Sequence, residues 1–330
     1  MDLSGKKRVL IIRLSSLGDI LLSTPLIRSI NKKYPDLQID FILKEQYKEI
    51  LQFNPYVSKI FSYPAERREK RQLFKALKKN KYDLVIDLQN NFRSLRLRWL
   101  INARSVVFNK KSLSKFLLVK FKYNTMRNAA PIPKRYAKVL GNFQLDEEGL
   151  DFQIPHSIDS QLTDFNRYIG FVPGSRHLTK MWPKQYYADL GNLLMSKGYL
   201  IVLFGGKSDI QICYELSVKI PGSINLCNEN KIFNTAIDMK KCRAVVANDS
   251  GLMHVACSLN ICVLAVYGST VKEFGFMPYK CKSSILENIG LYCRPCSHIG
   301  RDTCPENHFR CMMELSPQTA FDKLNTMLKA

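Results

Sequence analysis

The sequence predicts an α/β protein built from two doubly wound parallel-sheet domains that face each other, closed by a C-terminal helix. Three observations carry that prediction. Short apolar runs alternate with helical patterns along nearly the whole chain, the mark of parallel strands joined by crossover helices. The pattern lapses once, at "LDEEGLDFQIP" (residues 145–155), and then restarts. With 330 residues, each half is long enough to enclose its own core.

The boundary therefore divides the chain into 1–150 and 151–330. In the first half the expected strands are 9–12, 38–43, 59–63, 83–88 and 105–108, each an apolar or β-branched run bounded by polar residues. Thr24-Pro25 reads as an N-cap followed by proline in the first helical position, so a helix begins near Pro25. Residues 66–79 form a helical and very basic run. In the second half the strands are 168–172, 200–204, 223–226, 243–247 and 262–267. Helices are expected at 183–196, 210–219, 231–240 and 251–259. Residues 317–328 close the chain as a helix, with Ala320, Phe321, Leu324 and Leu328 on one face. The halves share this grammar but no sequence repeat.

Composition narrows the function. The chain is 46% hydrophobic and 24% charged, as in a globular protein, but its net charge is +22. Residues 66–127 hold eighteen Lys or Arg against four Asp or Glu. Such a surface either solvates the protein or attracts polyanions: nucleic acid, anionic headgroups or phosphorylated substrates. No apolar run is long enough for a transmembrane helix. Lys6, Lys7 and Arg8 precede apolar residues, but no convincing cleavage site follows, so a cytoplasmic protein is expected. All ten cysteines lie from Cys213 onward, and six of them read as buried thiols.

Ligands of open α/β sheets bind beyond the carboxyl ends of strands, near helix N-termini. Three segments have that placement. In "RLSSLGDILLSTP" (13–25), Gly18 permits a tight turn and Asp19 follows it, either as a helix-capping residue or as a base. In "FVPGSRHLTKMWP" (171–183), Gly174 and Ser175 let backbone amides approach an oxyanion, and the Lys180 ammonium suits a diphosphate. In "VVANDSGLMHVA" (245–256), the amides near Ser250 and Gly251 open a helix that carries His254. The alternative here is a capping Asp-Ser pair with a histidine at the core edge.

Together with "LIVLFGG" (200–206), these motifs in this order resemble glycosyltransferase family 9, the ADP-heptose:lipopolysaccharide heptosyltransferases, over nearly the full length. The resemblance implies a GT-B fold, with acceptor bound by the N-terminal domain and nucleotide sugar by the C-terminal one. It implies inversion at the anomeric carbon and no cofactor or metal in catalysis. Asp19 matches the family's general base, and Lys180 the lysine on the donor phosphates. Asp249, Ser250, Gly251 and His254 match the donor motif, with Ser250 in place of threonine. Arg67, Arg68, Lys70 and Arg71 fall where the family holds basic residues for the anionic inner-core sugar, and Arg93 is a second candidate. The implied partners are ADP-heptose, a lipopolysaccharide core acceptor and the inner-leaflet surface, placing the protein peripherally on the inner membrane. "LSKFLLVKFKY" (113–123) is either a bilayer-surface helix or an amphipathic helix packed on the sheet.

Cys293, Cys296, Cys304 and Cys311 crowd into nineteen residues, with His298 and His308 beside them. They could close a structural zinc site, pair as disulfides or stay free thiols. Two other readings differ in class. The same scaffold could use another sugar nucleotide. The charge could instead mark a nucleic-acid-binding protein, but the aromatics fall mostly at core-like positions. A dinucleotide oxidoreductase would show G-x-G-x-x-G after a strand, and the chain has none.

Overall fold

The computed structural model describes residues 1–163, 166–229 and 231–329. They form two compact units: 1–112 with 130–153, and 113–129 with 154–330. The division after Gln153 lies close to the expected one, but residues 113–129 group with the second unit rather than the first. Polar contacts hold them there. Lys122 Nζ donates to the carbonyls of Cys293 (2.9 Å) and Pro295 (2.8 Å), and Asn124 Nδ2 donates to Glu273 Oε1 at 3.1 Å.

The first unit contains β1 (Arg8–Ile12), α1 (Leu17–Leu21), α2 (Thr24–Lys33), β2 (Gln38–Leu43), β3 (Lys59–Ser62), α3 (Arg67–Lys79), β4 (Leu84–Asp87), α4 (Phe92–Ile101) and β5 (Ser105–Val107). After α5 (Ser112–Phe121), which belongs almost wholly to the other unit, α6 (Ile132–Ala137) returns to it. Among the described residues its sheet runs β3-β2-β1-β4-β5, all parallel. The order reverses direction between β1 and β4, and that switch point is where a doubly wound sheet opens a crevice for ligand. β1 is buried on both faces, as a central parallel strand must be. Its Leu10 and Ile12 pack with Ile42, Val85, Leu73, Leu77 and Leu97.

The second unit contains β6 (Tyr168–Val172), α7 (Lys184–Ser196), β7 (Leu200–Leu203), α8 (Ile210–Lys219), β8 (Ile224–Asn225), α9 (Ile232–Met239), β9 (Cys242–Asn248), α10 (Gly251–Ser258), β10 (Cys262–Tyr267), β11 (Ser283–Glu287), α11 (Arg310–Met313) and α12 (Pro317–Lys329). The sheet order is β11-β10-β9-β6-β7-β8, again parallel, with its switch point between β6 and β9. Trp182 anchors its core at 1% exposure, edge-on to Tyr187 and donating from Nε1 to the Leu315 carbonyl at 2.9 Å. Helix α12 closes the unit against α7, β10 and β11, as its apolar stripe requires.

Two expectations at the start of the chain are corrected. A short helix, α1, precedes α2 and carries Asp19, where a loop was expected. Thr24 is the first helical residue of α2 and Ser23 its cap position; the Thr24 hydroxyl donates to the Leu21 carbonyl at 2.7 Å instead of capping.

The link that ends the first unit is tied down by Arg28, which is 1% exposed. Its guanidinium pairs with Asp146 at 2.7 Å and with Asp151, and donates to the Gly149 carbonyl at 2.9 Å. Removing it leaves the half-buried Asp151 without its cation and Asp146 with Lys32 alone, at 3.1 Å, so Arg28→Ala should cost about 3 kcal/mol. Urea unfolding measures this, and a loss below about 1 kcal/mol would show that the cluster is better solvated than its burial indicates. Hydrogen bonds from Arg28 hold the Asp146 carboxyl at about 2. Its share of the stability is therefore full above pH ~4 and is lost as pH falls towards about 2.

Candidate active site

Asp19 lies at the switch point of the first sheet. Leaving β1, Arg13 donates from Nη1 to the Leu88 carbonyl at 2.6 Å, and Leu14 N donates to Gln89 Oε1 at 2.8 Å, so the loops after β1 and β4 are stitched together. Asp19 is the third residue of α1 and forms a capping box with Ser16, whose N–H and hydroxyl reach Oδ2 at 3.1 and 2.7 Å. The second carboxylate oxygen, Oδ1, meets Arg13 Nη2 at 2.6 Å. Asp19 thus serves the helix as a cap and still leaves its side chain 15% exposed.

The electrostatics of this carboxylate are a contest. Burial pushes its pKa up, but the Arg13 guanidinium and the Ser16 donors prevail and hold it below the ordinary aspartate value. The Tyr136 phenol from α6 hydrogen-bonds to Asp19, and burial, with help from that carboxylate, keeps the phenol protonated. The Arg13 guanidinium also lies 5.8 Å from the centre of the Tyr136 ring. Burial and the charge of Arg13 together lower the Lys110 ammonium. Arg13, Tyr136 and Lys110 were not singled out from sequence; only Arg13, six residues before Asp19 at a strand end, left a readable signal there.

The second unit builds its cluster at the switch point between β6 and β9. Asn248, the last residue of β9, holds three segments: its Nδ2 donates to the Pro173 carbonyl at 2.7 Å and its Oδ1 accepts from Trp182 N at 3.0 Å. Lys180 ends a 3₁₀ turn at Leu178–Lys180, and the Thr179 carbonyl in that turn accepts from Ser269 N at 3.1 Å. The Lys180 ammonium meets Asp249 Oδ2 at 2.6 Å, and the Thr270 hydroxyl donates to the same oxygen at 2.8 Å. Ser175 Oγ donates to the Asp249 carbonyl at 3.3 Å.

Ser250 occupies the N-cap of α10, yet its side chain makes no capping bond. Its buried hydroxyl has no hydrogen-bond partner among the described residues. A buried orphan hydroxyl beside the unpaired amides of a helix's first turn is suited to an anionic ligand. Gly251 and the buried His254 follow on the same helix. The sequence motifs of this cluster, Gly174, Ser175, Lys180 and Asp249 to Gly251, therefore surround one point of the fold. Gly174 is needed there for packing: an added Cβ would lie 2.2 Å from Asp209 Oδ1, a clash with a side chain held by its bond from Gly206 N (2.9 Å). Thr270 was missed because its segment, after β10, is distant in sequence from the other motifs.

The basic residues of the first unit separate into two groups. Lys70 and Arg93 line one cleft of about 1130 Å³, together with Lys44, Glu45, Tyr63 and Glu69. Arg67, Arg68 and Arg71 do not line it and stand on the exposed side of α3. Lys44 was not foreseen, although it follows β2 at the carboxyl edge of the sheet.

The sequence left zinc, disulfides and free thiols open for the cysteine cluster. Cys293, Cys296, Cys304 and Cys311 line one small cavity with His308, and Cys293 Sγ lies 3.9 Å from His308 Nε2. Among the described residues, however, no three His, Cys, Asp or Glu side chains are arranged to hold a metal ion, and all ten cysteines are free thiols. Backbone contacts order this segment instead, chiefly the Lys122 bonds and the Ser297 hydroxyl, which donates to the Gly300 carbonyl at 3.0 Å. Burial pushes the Cys311 thiol up to about 12.

Helix α5 packs through Leu118 and leaves Leu113, Phe116 and Phe121 exposed. Among the described residues no helix is long and apolar enough to cross a membrane.

Comparison with known proteins gives a consistent picture. The model for glycosyltransferase family 9 (heptosyltransferase) matches residues 70–307. The chain is 26% identical to lipopolysaccharide heptosyltransferase 2 of Escherichia coli K12, over 97% of this chain and 98% of that protein. It is 28% identical to lipooligosaccharide heptosyltransferase 2 of Haemophilus ducreyi, over 97% and 99%. A solved structure of Escherichia coli ADP-heptose LPS heptosyltransferase II shares the fold, the two-domain α/β architecture of the GT-B class. The match has a TM-score of 0.74 at 23% identity and covers 97% of this chain and 98% of that one.

Proposed function

The chain belongs to glycosyltransferase family 9 and is a glycosyl-transferring enzyme, and on that premise we propose that it moves heptose from ADP-heptose to an anionic lipopolysaccharide core acceptor. The transfer inverts the anomeric carbon and needs no metal ion. The observation that carries this reading is the cluster at the second switch point: the Lys180 ammonium, the orphaned Ser250 hydroxyl and the N-terminus of α10. A diphosphate satisfies all of them at once. The names of the curated relatives supply the sugar and the acceptor class.

In this scheme the acceptor hydroxyl oxygen attacks the anomeric carbon as the carbon–oxygen bond to the diphosphate breaks. The electron pair of that bond leaves with ADP, and Asp19 takes the hydroxyl proton. Negative charge grows on the departing diphosphate, where Lys180 and the first turn of α10 stabilise it. Lys180 has three protons to donate, so it can hold Asp249 and a phosphate oxygen together. On the acceptor side, Lys44, Lys70 and Arg93 offer a basic cleft for carboxylates or phosphates of the core, with Arg67, Arg68 and Arg71 adding long-range attraction. An acceptor of this kind is lipid-anchored, so the enzyme works at the cytoplasmic face of the inner membrane.

A base held below the ordinary aspartate value trades strength for constant ionisation. The wild-type acid limb of kcat/KM should lie below pH ~4. Arg13→Gln removes the cation that lowers Asp19 while burial continues to raise it, so the limb should move to higher pH. A pH–rate profile of both proteins measures this, and coincident limbs would mean that Arg13 does not govern the ionisation of the base.

The proposal as a whole is tested by kcat/KM for a panel of nucleotide sugars with one core acceptor, and by the anomeric configuration of the product. ADP-heptose should be the best donor and the new linkage should be inverted. A faster reaction with a different sugar nucleotide would keep the chemistry and change the substrate.

A further inference from the structure

We infer that α4 is a membrane-docking helix that seats on an anionic bilayer surface through Phe92, Leu95 and Trp99. These residues recur at i, i+3 and i+7, so they form one stripe along the helix. The stripe faces outward: Phe92 is 89% and Trp99 84% exposed, while Ser94 and Leu97 are the residues of α4 that turn into the core. Arg93 and Arg96 flank it on the exposed side. Helix α3 packs beside α4, with the Arg96 guanidinium 5.5 Å from the centre of the Phe74 ring, and extends the surface with exposed Lys75, Lys78 and Lys79.

Charge complementarity selects the occupant. Two aromatic rings and a leucine among arginines match the acyl–headgroup boundary of an anionic leaflet, where the rings sink between lipids and the guanidiniums stay with phosphates. A helix of ten residues cannot span a bilayer but can lie on one. Single-stranded nucleic acid also stacks on aromatics, but it needs a groove that tracks its backbone, whereas this stripe stands outward on a helix face. The inference rests on the proposed function for the lipid-anchored acceptor; the geometry of the surface stands apart from it.

The protein carries its own reporter. Of its two tryptophans, Trp182 is buried in the core and Trp99 is exposed, so a change of emission on docking comes from Trp99. The intact protein should co-sediment with phosphatidylcholine vesicles containing phosphatidylglycerol and show a blue-shifted emission. It should do neither with phosphatidylcholine alone, and added salt should weaken the binding. The double variant Phe92→Ser/Trp99→Ser should bind the anionic vesicles about tenfold less well, with its circular dichroism and ADP affinity unchanged. Trp99→Phe should keep the binding and lose the spectral shift. Wild-type protein that ignores anionic vesicles, or a double variant that binds them equally well, would overturn the inference. So would an RNA oligonucleotide that shifts the Trp99 emission while vesicles do not. Transfer to a water-soluble core oligosaccharide, measured on the same variants, reports separately on the sugar-transfer reading.

Discussion

Asp19→Asn lowers the transfer rate by about 10²–10⁴-fold and leaves ADP affinity close to that of wild type. The substitution keeps the shape of the side chain and an oxygen for the Ser16 capping contacts, so α1 persists. What it removes is the charge that accepts a proton and answers the Arg13 guanidinium. A residue that merely capped a helix would instead lose stability, and any change in transfer would follow the fraction folded. Measuring kcat, ADP affinity and urea unfolding on the one variant separates these roles. Equal loss of ADP affinity and transfer would demote Asp19 to a structural residue.

Lys180→Ala lowers kcat/KM for the donor by about 10²–10³-fold. Two effects add. The departing diphosphate loses its nearest ammonium, and the Asp249 carboxylate, paired with that ammonium at 2.6 Å, is left to repel the phosphates. Exchanging Asp249 as well, in Lys180→Ala/Asp249→Asn, should therefore recover part of the loss, because the repulsion goes while the missing cation does not. Donor kinetics in the single variant equal to wild type would contradict the phosphate role of Lys180.

All the strands but β11 were legible in the sequence, the central ones because buried parallel strands are nearly continuous apolar runs; "RVLII" and "CVLAVY" could hardly be anything else. What stayed hidden has particular causes. Helix α4 was expected only as an unplaced helical segment between two strands, because Leu95-Arg96-Leu97-Arg98-Trp99 alternates apolar and charged residues, the period of a half-buried strand. The capping box between Asn91 and Ser94 decides for helix, and the outward stripe that breaks the usual pattern is the surface assigned to lipid. Strand β11, Ser283–Glu287, lies at the sheet edge with a partly exposed and polar start, so its signal was weak.

The candidate site was legible in its motifs and illegible in its partners. Gly174, Lys180 and Asp249 could be found because a strand end followed by small and charged residues is visible locally. Thr270 and Tyr136 approach from other strands and helices, and only the fold brings them to Asp249 and Asp19. The cysteine spacing left zinc, disulfides and free thiols open; the cysteines are free thiols, and among the described residues no three metal-ligating side chains are arranged around an ion.

Sugar transfer itself is read directly by mass spectrometry of a core acceptor incubated with the protein and ADP-heptose. The expected spectrum shows the acceptor heavier by one heptosyl residue, with ADP released in equal amount. An acceptor of unchanged mass, in a sample that folds and binds ADP, would contradict it.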